Sequence, residues 1–308
     1  MCATRLICAG AMALVCAAAM PAMGAISPAG LIGYYPFDGN GNDLGTNNVS
    51  VSIVDTSTAA SSFSGTGKFA QAFETASDGG NFPSPGGRSD VARDGADSAL
   101  PKLVGDDTFT LTGWFKFNAI GGQTETQNHH FIDMDRGGAV AGVRVSMIAG
   151  LSTDGGTTFQ QQSLSFASNG AGATIDLNTG GNPAWAANQW YFFAGRLDGA
   201  SNSVLWLVPD GTAWADRMGA GGGGNAPGPT AAALQFGREG GNGAMNGLKD
   251  DFSIWNRALT TDEVQQIYEA GMAGIPLGQV AVPEPAGISL AIAGIASLLG
   301  LTRRRHRA

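Results

Sequence analysis

The chain has 308 residues, a net charge of −8, only 14% charged residues and 48 glycines. Its three cysteines (Cys2, Cys8 and Cys16) all precede residue 17, so the remainder has no disulfide, no thiolate metal site and no cysteine nucleophile. The acidic balance argues against nucleic acid or anionic membrane as a partner and is compatible with Ca²⁺.

Residues 1–24 read as a secretory signal peptide: an early Arg5, an apolar run over 6–19, then Pro21 and the small-residue pattern Ala22-Met23-Gly24, with cleavage after Gly24. A secreted body without disulfides must hold together by core size or by a bound metal. That body spans residues 26–275. Short alternating runs separated by Gly, Asn, Asp and Ser dominate it, the pattern of a β-sandwich.

The first strand is expected over 31–37. It ends in Asp38-Gly39-Asn40-Gly41-Asn42-Asp43, a turn dense in oxygen ligands. This turn is either a solvated Asx turn or half of a Ca²⁺ site. It is not an EF-hand, because the twelfth position from Asp38 is Val49 rather than Glu. Further strands are expected over 49–54 and 69–73, and a long surface loop over 81–97. The run 108–117 puts Phe109, Leu111, Phe115 and Phe117 on one face and Trp114 on the other, which suits a central strand.

His129 and His130 point to opposite faces of any strand, so they cannot share a metal. His129, Asp133 and Asp135 could share a face; the other reading is a loop leading into a strand. Runs 141–151 and 158–166 form a hairpin about Asp154-Gly155, and 190–197 pairs with 204–208 about Asp198-Gly199. Four consecutive glycines within 218–229 predict a flexible loop, and 234–237 a short strand.

Residues 247–271 are a strand running into the one convincing helix. Alternation places Leu248, Asp250, Phe252 and Ile254 on one face, and Lys249, Asp251, Ser253 and Trp255 on the other. Asp250 is then an inward carboxylate, which is costly without a partner. Thr260 and Glu263 form a capping box, Leu259 and Val264 a hydrophobic staple, and Gly271 a stop.

After a linker over 276–282, residues 283–308 hold Pro283-Glu284-Pro285, a sixteen-residue apolar run over 286–301, and Arg303, Arg304, Arg305 and Arg307. A sixteen-residue helix spans roughly 24 Å, short of the ~30 Å hydrocarbon core, and the arginines place its end in the cytoplasm. A plain transmembrane anchor is the simplest reading. The three parts in this order resemble the PEP-CTERM sorting signal. That resemblance implies recognition and processing by an exosortase, with delivery to the outer envelope or extracellular matrix of a Gram-negative-type bacterium. Removing Arg5 with the leader, and Glu284 and four arginines with the tail, takes the charge from −8 to about −12.

Four stretches (31–43, 109–117, 190–211 and 247–271) together resemble the concanavalin A-like lectin/glucanase superfamily in its laminin G-like branch. The resemblance implies an all-β fold: an antiparallel two-sheet jelly-roll sandwich with first and last strands adjacent, and one short C-terminal helix. It also implies a structural Ca²⁺ where the first turn meets the last strand, held by Asp38, Asn40, Asp43 and Asp250. The competing account is a network of Asp–amide hydrogen bonds that closes the sandwich without metal. Lys249 departs from the apolar residue often found there, and Pro209 suits a strand end.

The resemblance implies a binding module contacting carbohydrate, such as an exopolysaccharide, with Trp185, Trp214 and Trp255 as sugar platforms; core packing is the other reading of each ring. A protein–protein adhesion module is the first alternative, with an envelope protein as partner. A glycoside hydrolase or lyase is the second. Retaining hydrolysis needs two carboxylates about 5–5.5 Å apart. The Glu-x-Asp-x-x-Glu strand of the glucanase branch is missing, and Asp133 with Asp135 is the best remaining pair. No catalysis is expected.

Overall fold

The computed structural model describes residues 26–54, 61–75, 91–93, 103, 105–118, 128–134, 142–148, 162–177, 179–228, 234–237 and 247–280. The signal peptide, the sorting tail with Pro283, Glu284, Pro285, Arg303, Arg304 and Arg305, the turn at Asp154-Gly155, and Asp135 lie outside these residues. Among the described residues, no helix is long and apolar enough to cross a membrane.

Among the described residues, fifteen strands form two antiparallel sheets. In chain order they are β1 (Leu31–Tyr35), β2 (Ser52–Val54), β3 (Ser62–Thr66), β4 (Gln71–Thr75), β5 (Val91–Arg93), β6 (Thr108–Phe117), β7 (Asn128–Asp133) and β8 (Val143–Ile148). Then follow β9 (Gln162–Ser168), β10 (Ala171–Leu177), β11 (Trp190–Asp198), β12 (Ser203–Pro209), β13 (Met218–Gly222), β14 (Gln235–Phe236) and β15 (Gly247–Trp255). The eight-stranded sheet runs β13-β12-β11-β6-β15-β4-β3, with β1 also on β15; the seven-stranded sheet runs β10-β9-β8-β7-β14-β5-β2. First and last strands are adjacent, as the jelly-roll reading expects.

Two apolar cores follow from the alternation of β6. Phe109, Leu111, Phe115 and Phe117 face the second sheet and meet Phe166, Val145 and Ile175. Trp114 points the other way, into a second core with Phe192, Trp206 and Trp255. The helix α1 (Thr261–Met272) roofs this outer core with Val264, Ile267 and Tyr268. Its start follows the sequence: the Thr260 hydroxyl accepts from Glu263 N (3.2 Å), and Glu263 Oε2 accepts from Thr260 N (2.8 Å). Leu259 and Val264 are both fully buried.

Several expectations need correction. The 81–97 loop contains β5. The glycine-rich 218–229 loop opens with β13, an edge strand paired with β12 from Ser203↔Gly222 to Leu207↔Met218. Gly222 lies so close to Gly172 O that a Cβ would stand 2.0 Å away, which is a packing reason for glycine. The β9–β10 hairpin was missed although its turn, Asn169-Gly170, is a strong hairpin signal; both residues have positive φ (47° and 82°). The helix stop is Gly274 rather than Gly271. Gly274 N donates to Gly271 O (3.1 Å) and Ile275 N to Ala270 O (2.9 Å), a Schellman pairing with Gly274 at φ +76°. The expected linker begins as a 3-10 turn, Leu277–Gln279, docked through Leu277.

The largest correction concerns β15. Asp250 pairs with Trp114 but Ser253 pairs with Thr112, so Asp251 and Phe252 together oppose Gly113. Asp251 takes φ +54°. This bulge resets the alternation. Lys249, not Asp250, shares the inter-sheet face with Phe252 and Ile254. Its ammonium is fully buried, 5.1 Å from the Phe73 ring centroid, and donates to Thr75 Oγ1 at 3.3 Å.

Candidate functional site

The bulge sits at a break in the sheet. One edge of β15 pairs with β6 on both sides of the bulge; the other pairs with β4 over Gly247–Lys249 and with β1 over Phe252–Trp255. Among the described residues no strand covers the edge between β4 and β1, and Asp250 and Asp251 stand in that gap. Their carboxylates accept amides from the turns that flank the gap.

Asp250 Oδ2 accepts from Lys68 N (2.6 Å) and Phe69 N (3.2 Å) in the β3–β4 turn. Asp251 Oδ1 accepts from the Tyr34 hydroxyl (2.5 Å) and its Oδ2 from Leu277 N (2.9 Å). The same hydroxyl accepts from Gly278 N at 3.0 Å, so Asp251 and Tyr34 together tie the C-terminal 3-10 turn to β1 and β15. Asp38 Oδ1, on an exposed residue, accepts from Gln71 N (3.1 Å), linking the end of β1 to the start of β4.

Burial first, and neighbouring carboxylates after it, set the charges here. Burial, then the neighbouring Asp251, pushes the Asp250 carboxyl up to about 8, and Asp38 adds to the rise. Burial pushes Asp251 up to about 6 against the hydrogen bonds from Tyr34 and Leu277. Burial and the Asp251 carboxylate drive the Tyr34 phenol upward.

The four residues expected to hold Ca²⁺ are placed as follows. Asp38 and Asp250 lie within electrostatic reach of one another. Asp43 is spent within its own loop: Oδ1 accepts from Tyr34 N (2.8 Å) and Gly45 N (2.7 Å), and Oδ2 from Val49 N (2.9 Å). Asn40 Oδ1 accepts from Asn42 N at 2.9 Å. Among the described residues, no three or more His, Cys, Asp or Glu side chains gather so as to hold a metal ion. Asn40 and Asp43 thus have oxygens engaged by nearby amides, and the amide network accounts for these contacts. Melting in EDTA and then in excess Ca²⁺ is expected to give one midpoint. A Ca²⁺-dependent rise that disappears in Asp250→Ala would restore the ion.

The three tryptophans offered as sugar platforms are core rings. Trp185 (6% exposed) packs between the sheets on Phe115, Phe117 and Tyr191. Trp214 (7%) lies against Tyr268 and Trp206. Trp255 (1%) floors an apolar cavity of about 280 Å³ shared with Tyr34, Leu31 and Leu277. Asp251 and Tyr34 were missed as members of the cluster. One signal was available: adjacent strand residues face opposite sides, so an Asp-Asp pair between apolar neighbours implies a buried acid or a bulge.

The arrangement defines a two-sheet jelly-roll sandwich fastened at its first and last strands. Residues 91–265, more than half of the chain, match the laminin G-type model described as concanavalin A-like lectin/glucanases superfamily. The chain belongs to the concanavalin A-like lectin/glucanases superfamily. Among curated proteins none matches the chain in sequence. Among solved structures, domain 4 of AbnA, a GH43 extracellular arabinanase from Geobacillus stearothermophilus in complex with arabinotriose, is similar at 17% identity and TM-score 0.50, over 78% of this chain and 98% of that one. The binding domain of botulinum neurotoxin serotype D is similar at 10% identity and TM-score 0.48, over 78% of this chain and 52% of that one. The binding domain of botulinum neurotoxin DC in complex with rat synaptotagmin II is similar at 10% identity and TM-score 0.46, over 79% and 52%. At these identities the likeness is one of fold, and this chain spans about half the length of the neurotoxin domains.

Proposed function

We propose that the chain is an exported binding module of the lectin type that contacts carbohydrate, with exopolysaccharide as its natural setting. Its tail is a PEP-CTERM signal processed by an exosortase, and the body reaches the cell envelope or the matrix outside it. The observation that carries the binding reading is the family match over residues 91–265. The arabinanase domain solved with arabinotriose is a case of this fold in a sugar complex and supports the reading by analogy alone. The carboxylate cluster is assigned a fastening role: every member accepts backbone amides or, for Asp251, a buried hydroxyl, and each bond closes the sandwich.

A glycan array and a polysaccharide pull-down with the purified full-length protein are expected to show retention of at least one polysaccharide class without release of new reducing ends. Binding to no glycan, with a single protein retained instead, would move the chain to the adhesion reading. New reducing ends would move it to the hydrolase reading.

A further inference from the structure

The outer face of the eight-stranded sheet continues past the region that α1 covers. Two residues beyond Phe192 on β11 stands Trp190, on the same face and half-buried against the outer core. The register sets a transverse row: Trp190 opposite Lys116 on β6, Lys116 opposite Leu248 on β15, and Leu248 opposite Glu74 on β4. Four strands at about 4.8 Å spacing make a row roughly 14 Å long. Leu248 is buried in its middle, and Trp190, Lys116 and Glu74 are each partly exposed. The Lys116 ammonium lies 5.1 Å from the Trp190 ring centroid. Asn118 Nδ2 donates to Glu74 Oε1 at 3.2 Å at the far end.

We infer that this row is the surface on which the module binds an oligosaccharide; the inference rests on the carbohydrate reading above and names its site. A sugar ring has apolar C–H faces and a rim of hydroxyls. An aromatic ring beside an ammonium donor, with a carboxylate and an amide further along, answers both. A protein hot spot would be a fully desolvated apolar anchor, whereas here polar ends bracket one ring. Lys116 adds a preference. Among the described residues it makes no ion pair, so in an acidic body it is an ammonium left to meet an acidic sugar.

The test runs the glycan array, including neutral and uronate-bearing oligosaccharides, with wild type, W190A, W190F and K116Q in parallel. W190A is expected to weaken every retained glycan by about tenfold, the loss of one ring contact. W190F is expected to retain most of the affinity, and K116Q to weaken the uronate glycans selectively. A W190A pattern identical to wild type overturns the inference and leaves the carbohydrate reading standing. A wild type that binds nothing removes both. Circular dichroism and melting of W190A distinguish a lost contact from a lost fold; loss of binding in an unfolded W190A together with full binding by W190F and K116Q to every glycan also overturns it.

Discussion

From about pH 4 to about pH 8 the protein is expected to lose stability as pH rises, and Asp250→Asn is expected to flatten most of that slope. Asp250 and Asp251 are carboxyls whose folded-state values, about 8 and about 6, lie above the ordinary carboxylate range. A group raised on folding holds its proton more tightly in the native state, so its contribution is fully present below the unfolded value and lost as pH climbs through the folded one. The window therefore opens near pH 4 and closes near pH 8. At neutral pH the native pair already accommodates one charge more than its surroundings favour. The loss across the window is on the order of a few kcal/mol, and about 2–4 °C of melting temperature accompanies each kcal/mol in a domain of this size. Asparagine keeps an oxygen for Lys68 N and Phe69 N and removes the charge. Asp250→Ala removes the acceptor as well, leaving two amides unmet at a cost of about 1–3 kcal/mol. Melting curves at several pH values on the two variants separate these effects. A wild-type midpoint that rises steadily to pH 9 would show that the pair is ionised and stabilising, and would overturn the repulsion account.

Gly271→Ala is expected to destabilise the protein by about 1–3 kcal/mol even though alanine favours a helix by about 1 kcal/mol. A Cβ at Gly271 would stand 2.5 Å from Trp114 Cζ2, far inside van der Waals contact. Trp114 cannot yield easily. It is 1% exposed, stacked on Tyr268 at 5.7 Å and 20°, flanked by Phe192 at 5.3 Å and met edge-on by Phe69 at 6.4 Å. Either α1 lifts off the sheet or the aromatic cluster rearranges, and both sacrifice close packing. Gly271→Val would cost more. Urea unfolding should show a lower midpoint at unchanged slope. A neutral or stabilised Gly271→Ala would mean that propensity outweighs contact and that the helix is not seated as tightly as described.

Much of the fold was legible before the structure. β6 matches its expected bounds, because a ten-residue run with Phe109, Leu111, Phe115 and Phe117 on one face and Trp114 on the other suits a central strand. The capping box and staple of α1 were readable because they depend on residues three to five apart. The loss of legibility begins where a residue answers to something distant in sequence. Alternation through Gly247–Trp255 assumed an unbroken strand; the bulge at Asp251 exists because β4 and β1 share one edge of β15 and leave a gap between them. Gly271 was read as a stop because its own neighbourhood suggests one, while its contact is Trp114, 157 positions upstream. Which tryptophan reaches the surface is decided by burial, not by residue type. Trp185, Trp214 and Trp255 went to the cores, while Trp190, not considered as a platform, kept part of its ring at the surface.

Only the family resemblance implied that the first and last strands adjoin in a two-sheet sandwich; the sequence by itself determined a body of short strands, one capped helix and no cysteine chemistry. Those features rest on local periodicity, local capping and composition, which the chain carries in every conformation. Only the tertiary structure decided which carboxylates meet, which oxygens are already spent on amides, and which face of the last strand turns inward. Those are pairwise outcomes of strand order and register, and residues more than two hundred positions apart, such as Tyr34 and Asp251, acquire their chemistry only once that register is set.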